Sequence, residues 1–128
     1  MSKITEKVFH CNVELTLDII GGKWKPLIIH HIGNTSVIRY GELKRKIPNI
    51  NERVLTRQLR ELEKDKLIKR KVYDEVPQRV EYSVTPVGES LTPILNALGN
   101  WGLKYNTTFG YGDIDFDDVC LGTKKDNK

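Results

Sequence analysis

Read for the spacing of hydrophobic and polar positions, the chain breaks into short amphipathic segments divided by Gly, Pro and Asn. Residues 12–20 place Val13, Leu17 and Ile20 at i, i+4 and i+7, one helical face, and Gly21-Gly22 stops the segment. A second helix is expected from Lys23 or Trp24 to about Ile32, closed by Gly33-Asn34. Pro26 fits its first turn, where no N–H is required. Residues 35–39 read as a short extended piece. Residues 40–47 form a third short helix with Leu43 and Ile47 on one side, ended by Pro48. Asn51 is a good N-cap for the helix that follows, to Lys64. At 100° per residue, Val54, Leu55, Gln58, Leu59 and Leu62 gather on one side of it, and Arg53, Thr56, Arg57, Arg60 and Lys64 opposite.

Residues 67–73 and 79–84 alternate as strands do, the second with Val80, Tyr82 and Val84 on one face, and residues 74–78, with Pro77, join them as a hairpin. Thr85-Pro86 opens the last helix. Its Leu91, Ile94, Leu95, Leu98, Trp101, Leu103 and Tyr105 make an apolar surface too broad for one small core, which points to a subunit interface. Two short helices about four residues apart, the second basic, followed at once by a hairpin, outline a winged helix-turn-helix. The expected fold class is α+β, mainly α, with a small antiparallel β-hairpin wing, dimerising through its N- and C-terminal helices. Residues 1–10 read as an N-terminal arm, 11–105 as a winged-helix DNA-binding and dimerisation domain, and 106–128 as an acidic flexible tail.

Charge sharpens this outline. The net charge is only +4, yet between Arg39 and Lys71 twelve Lys and Arg face five acids, a local excess of +7. Such a field favours a polyanion at that place. On the fourth helix the acids Glu52, Glu61 and Glu63 sit on the flanks, so the outward stripe is nearly pure cation, whereas an ordinary solvated helix mixes signs. With 38% hydrophobic and 30% charged residues, 128 residues suffice for one soluble domain. No apolar run approaches a membrane span, and the first residues lack the apolar stretch of a signal peptide. Two cysteines, Cys11 and Cys120, are too few for a disulfide framework, so a cytoplasmic setting is expected.

Several blocks now agree. Cys11-Asn-Val-Glu14, Asp18-Ile-Ile-Gly-Gly-Lys-Trp24, Arg39-Tyr-Gly-Glu-Leu43, Leu55-Thr-Arg-Gln-Leu-Arg-Glu-Leu62 and Val76-Pro-Gln-Arg-Val-Glu-Tyr-Ser-Val-Thr85 stand in one order and spacing. In these the chain, from about Cys11 to Tyr105, resembles the HxlR family of bacterial winged-helix transcription regulators. The resemblance implies a homodimer on a short inverted repeat in promoter DNA, with residues 51–64 as the recognition helix. Departures from the family pattern are Asn12 and Gln78 for proline, Tyr40 for phenylalanine, and Lys66 for glycine.

From these residues, Arg53, Thr56 and Arg57 are expected to read base edges, arginine suiting guanine through two parallel hydrogen bonds. Arg60 and Lys64 are expected on phosphates, with Lys23, Lys25 and Arg79 adding positioning contacts. Arg79 has a second reading, as a partner of Glu75 or Glu81 inside its own subunit. Cys11 is the candidate redox-sensing residue, since members of the family it resembles sense oxidants or electrophiles through a cysteine ahead of the first helix. Helix-terminal N–H groups with Lys7 or His10 would favour its thiolate; the alternative is an inert thiol. His10, Cys11, His30, His31 and Cys120 lack metal-ligand spacing, and Asp113, Asp115 and Asp117 lack the glycine and closing glutamate of a calcium loop. Gly21-Gly-Lys23 lacks the rest of a phosphate loop. No metal, cofactor or enzymatic activity is expected. The partners expected are double-stranded DNA, a second copy and an oxidant or small-molecule inducer. Two other functions stay open: a ligand-responsive regulator with an inert Cys11, and a protein-interaction module using the same basic face.

Overall fold

The structure, a computed structural model, describes residues 5–115. Six helices and three strands follow in the order α1 (Asn12–Ile20), α2 (Trp24–Gly33), β1 (Ile38–Arg39), α3 (Tyr40–Lys46), α4 (Glu52–Lys64), β2 (Ile68–Tyr73), β3 (Arg79–Val84), α5 (Pro86–Glu89) and α6 (Thr92–Phe109). No helix among the described residues is long and apolar enough to cross a membrane.

The core is built around α2. Ile28, Ile29 and Ile32 are fully buried there and meet Leu43 of α3, Leu55, Leu59 and Leu62 of α4, Ile68 of β2 and Leu95 of α6. Ile47 and Ile50, on either side of the α3–α4 turn, are buried too, so the two helices are locked at a fixed angle. Burial along α4 follows the expected face: Leu55, Leu59 and Leu62 are inside, Val54 and Gln58 half-buried.

The hairpin gains a third strand. β3 lies between β1 and β2, antiparallel to both, with Ile38 opposite Tyr82 on one side and Ile68 opposite Val84, Arg70 opposite Tyr82 and Val72 opposite Val80 on the other. Cross-strand partners share a face, so Ile38, Tyr82, Ile68 and Arg70 all look toward the helices.

Two differences from the expected elements have local causes. The helix opened by Thr85-Pro86 divides into α5 and α6, because Pro93 has no N–H to donate to Glu89 and its ring crowds that carbonyl. In turn, α6 runs on to Phe109, past the expected domain boundary at Tyr105. Trp101, Tyr105 and Phe109, four apart, stack with centroids 5.3 and 4.9 Å apart, and Gly110, left-handed at φ 63°, ends the helix. Asn106 then holds both the N–H and the C=O of Gly112 at 2.8 and 2.9 Å. Residues 106–109 are thus helical, where a flexible tail was expected from 106 onward; residues 116–128, with Cys120 and Asp117, lie outside the described residues.

Candidate nucleic-acid interface

The turn from α3 into α4 sets the angle of the basic helix. At its start the Asn51 side-chain oxygen accepts the Val54 N–H at 2.9 Å, as its N-cap position requires. Tyr40, at the start of α3, donates its hydroxyl to the Glu52 carbonyl at 3.2 Å and lies 3.4 Å from the Thr56 hydroxyl. At the other end, Leu67 N–H reaches the Leu62 carbonyl and Lys66 N–H the Glu63 carbonyl, both at 3.0 Å. That pair of bonds closes a Schellman motif. It demands a left-handed residue, and Lys66 takes φ 68°, the one described residue other than glycine to do so. Thr85 then ties the wing to this end of α4: its hydroxyl donates to the Lys66 carbonyl at 2.7 Å and accepts the Gly88 N–H at 3.0 Å.

Held at both ends, α4 turns Arg53, Arg57, Arg60 and Lys64 outward. All four are exposed, and no ion pair among the described residues engages any of them. The structure therefore brings together, on one open face, four of the five residues expected there. Thr56, the fifth, is half-buried with its hydroxyl beside Tyr40. Lys23 is exposed at the start of α2, its ammonium 4.7 Å from the Trp24 ring centroid.

Lys25 and Arg79 depart from the expected phosphate contacts. The Lys25 side chain is only 14% exposed and its ammonium sits 2.8 Å from the Glu61 carboxylate. Hydrogen bonding to Lys25, with the field of Lys25, Arg57 and Lys64, holds the Glu61 carboxyl below its ordinary pKa despite the opposing effect of burial. Lys25 is thus a strut between α2 and α4. Of the two readings of Arg79, the intramolecular one is seen. Its guanidinium lies 3.8 Å over the Tyr73 ring, 3.3 Å from Glu75 and 3.6 Å from Glu81. A charge held by two carboxylates and an aromatic face stiffens the wing.

Cys11 is exposed and N-caps α1, its sulfur accepting the Glu14 N–H at 3.4 Å. The side chains expected to assist it are engaged elsewhere: Lys7 pairs with Asp18 at 3.0 Å and the His10 ring lies 3.4 Å from the Glu14 carboxylate. Among the described residues no cluster of three His, Cys, Asp or Glu side chains is placed to hold a metal.

A helix-turn-helix whose second helix is capped at both ends, presents exposed cations and leads into a three-stranded wing is the fold of a DNA-binding regulator. Residues 19–109 match the HxlR-like helix-turn-helix family. The chain belongs to the HxlR family. It is 50% identical over 99 residues to the HTH-type transcriptional regulator YkvN of Bacillus subtilis (strain 168), covering 77% of this chain and 83% of YkvN. Among solved structures, it is similar to a MarR-family transcriptional regulator of Porphyromonas gingivalis W83 (TM-score 0.71, 47% identity, 80% of this chain and 98% of that one). It also resembles the redox regulator HypR in its reduced form (TM-score 0.72, 42% identity, 80% and 100%) and its oxidised form (TM-score 0.69, 43% identity, 81% and 100%). This HxlR protein is a helix-turn-helix transcriptional regulator, and its fold is the winged helix expected from the sequence.

Two residues of the interface escaped the sequence reading. Tyr40 stands out only because it replaces phenylalanine, and its hydroxyl proves to anchor the first turn of α4. Arg70 was hidden in the basic run 69–71; counting alternate positions along β2 would have put it with Ile68 and Val72, facing the helices.

Proposed function

We propose that this HxlR regulator acts as a homodimer on a short inverted repeat in promoter DNA, with α4 of each subunit in a major groove. The observation that carries the reading is the outward face of α4, four exposed cations with no ion-pair partner among the described residues. Arg53 and Arg57, early in the helix, read base edges, while the Thr56 hydroxyl is held beside Tyr40. Arg60, Lys64 and Lys23 hold phosphates. Footprinting of the DNA upstream of its own reading frame identifies the site. On that site Arg57→Ala weakens binding by about 1–3 kcal/mol and on unrelated duplex hardly at all; equal loss on both makes Arg57 a phosphate contact. No duplex binding even at low salt would leave the protein-interaction reading in its place.

The second subunit covers α1 and α6. α1 buries only Ile20 and leaves Val13 and Leu17 exposed, while α6 buries only Leu95 and exposes Leu98, Trp101 (66%) and Phe109 (69%). Exposed apolar side chains gathered on two helices point to a covered surface, and twofold pairing through them would present two α4 helices to one duplex. Trp101→Glu is expected to give monomers by light scattering.

Cys11 is the proposed sensor. It caps the N-terminus of α1 and is open to solvent, so an oxidant can reach its sulfur. A two-electron oxidant would convert it to the sulfenic acid, which condenses with a second thiol to a disulfide, releasing water. The similarity to HypR, a redox regulator, supports this reading. Cys11→Ser should abolish the response to oxidant while leaving DNA affinity of the reduced protein intact; an unchanged response removes the thiol from the mechanism. A groove of about 930 Å³ beside α2 and α6, lined by Leu27, His30, Leu95, Trp101 and Tyr105, favours a small apolar inducer as the second reading. That reading stands if Cys11→Ser still responds.

A further inference from the structure

A second, smaller cleft of about 390 Å³ opens between α4 and the wing, walled by Tyr40, Thr56, Arg60, Glu63, Arg70 and Tyr82. Arg60 belongs both to this cleft and to the outward stripe, so the cleft opens on the side that faces DNA. Duplex geometry says what passes there. Each groove is bounded by the two sugar–phosphate backbones, so a helix in the major groove and a hairpin over the adjacent minor groove straddle one of them. We propose that this cleft seats a backbone phosphate, with Arg60 and Arg70 as the charged donors and the Tyr40 and Thr56 hydroxyls beside them.

The inference rests on the DNA-binding reading and adds a site to it. Two guanidiniums suit phosphate oxygens because their paired N–H groups match the spacing of the oxygens. Arg70 is aimed at the cleft by the register of the sheet. It faces Tyr82 across the ladder, on the side of β2 that carries Ile68 and Val72, whereas Lys69 and Lys71 fall on the opposite side. Tyr40 is already held against Glu52 and Thr56, so the hydroxyls need little reordering. Burial raises the pKa of Tyr82, with Arg70 acting the other way, so its hydroxyl brings no negative charge to the cleft at neutral pH. Glu63 is the one wall residue that repels an anion, and it therefore gives the test a sign.

Binding of the full chain to a labelled duplex, by fluorescence anisotropy across a salt series, measures this directly. Arg70→Gln is expected to weaken binding to the regulator's own site and to an unrelated duplex alike, by about tenfold, and to lower the slope of log K against log salt by about 1 per bound subunit. Lys69→Gln, an equal charge change on the other face of the same strand, should do clearly less, and Glu63→Gln should tighten binding to both duplexes. A neutral methylphosphonate at the seated position should erase the difference between wild type and Arg70→Gln. The seat is overturned if Arg70→Gln loses no more than Lys69→Gln, or loses affinity for one sequence only. A wild-type chain that binds no duplex at low salt removes the DNA-binding reading itself. Steep salt dependence in the wild type with an unaffected Arg70→Gln removes the seat alone.

Discussion

Replacing Lys66 by glycine should make the protein more stable, although it deletes a whole side chain at the foot of the recognition helix. Lys66 occupies φ 68° because the Schellman bonds from Lys66 and Leu67 to Glu63 and Leu62 leave it no other conformation. An L-residue in that region crowds its Cβ against the next carbonyl, at a cost of about 1–2 kcal/mol. Glycine removes the crowding, but its freer unfolded chain takes back about 0.4–1 kcal/mol. The net is a gain of about 0.5–1 kcal/mol, or about 2–4 °C in Tm for a chain of this size. Lys66→Ala separates the backbone effect from the charge, since alanine also loses the ammonium but keeps the Cβ. Thermal unfolding followed by circular dichroism, with all three proteins at one concentration, supplies the comparison. The expected order is Gly above Ala, with Ala near wild type. If Lys66→Gly melts at or below Lys66→Ala, the left-handed strain assigned to this position is wrong.

Three further substitutions probe the supports of the interface. A Cβ added at Gly88 would lie 2.0 Å from the Leu67 carbonyl oxygen, a backbone atom that cannot rotate away; Gly88→Ala should cost about 2–3 kcal/mol by urea denaturation. At Gly33 the nearest atom is the Thr92 hydroxyl, which can turn aside, so Gly33→Ala should cost visibly less. The Lys25–Glu61 strut carries a pH signature. Glu61 has its pKa depressed in the folded chain, so its contribution is present above the unfolded pKa near 4.5 and disappears as pH falls through the lower folded value. Glu61→Gln should therefore lower stability at pH 7, by at most about 1 kcal/mol for so exposed a carboxylate, and the gap from wild type should close in acid. A gap that persists below the folded pKa would mean the side chain acts by packing.

Much of this protein is written locally. The bounds of α1, α2, α3 and α4, the Asn51 and Thr85 caps, the two long strands and the sidedness of α4 follow from residues a few positions apart. Periodicity and capping are properties of contiguous chain, and the sequence alone therefore carried the fold class and the basic face, whereas the left-handed conformation of Lys66 came from the structure. Tertiary structure decided the rest. Whether a cation is free or paired depends on which carboxylate the fold brings near: Lys25 met Glu61 from another helix. The pairing of β1 with β3 joined residues far apart in the chain. The cleft under Arg70 exists only because α4 packs against the sheet. Long-range contacts decide which charges are available to a partner, because a charge a few ångströms from its counter-ion within the subunit has little left to offer outside it.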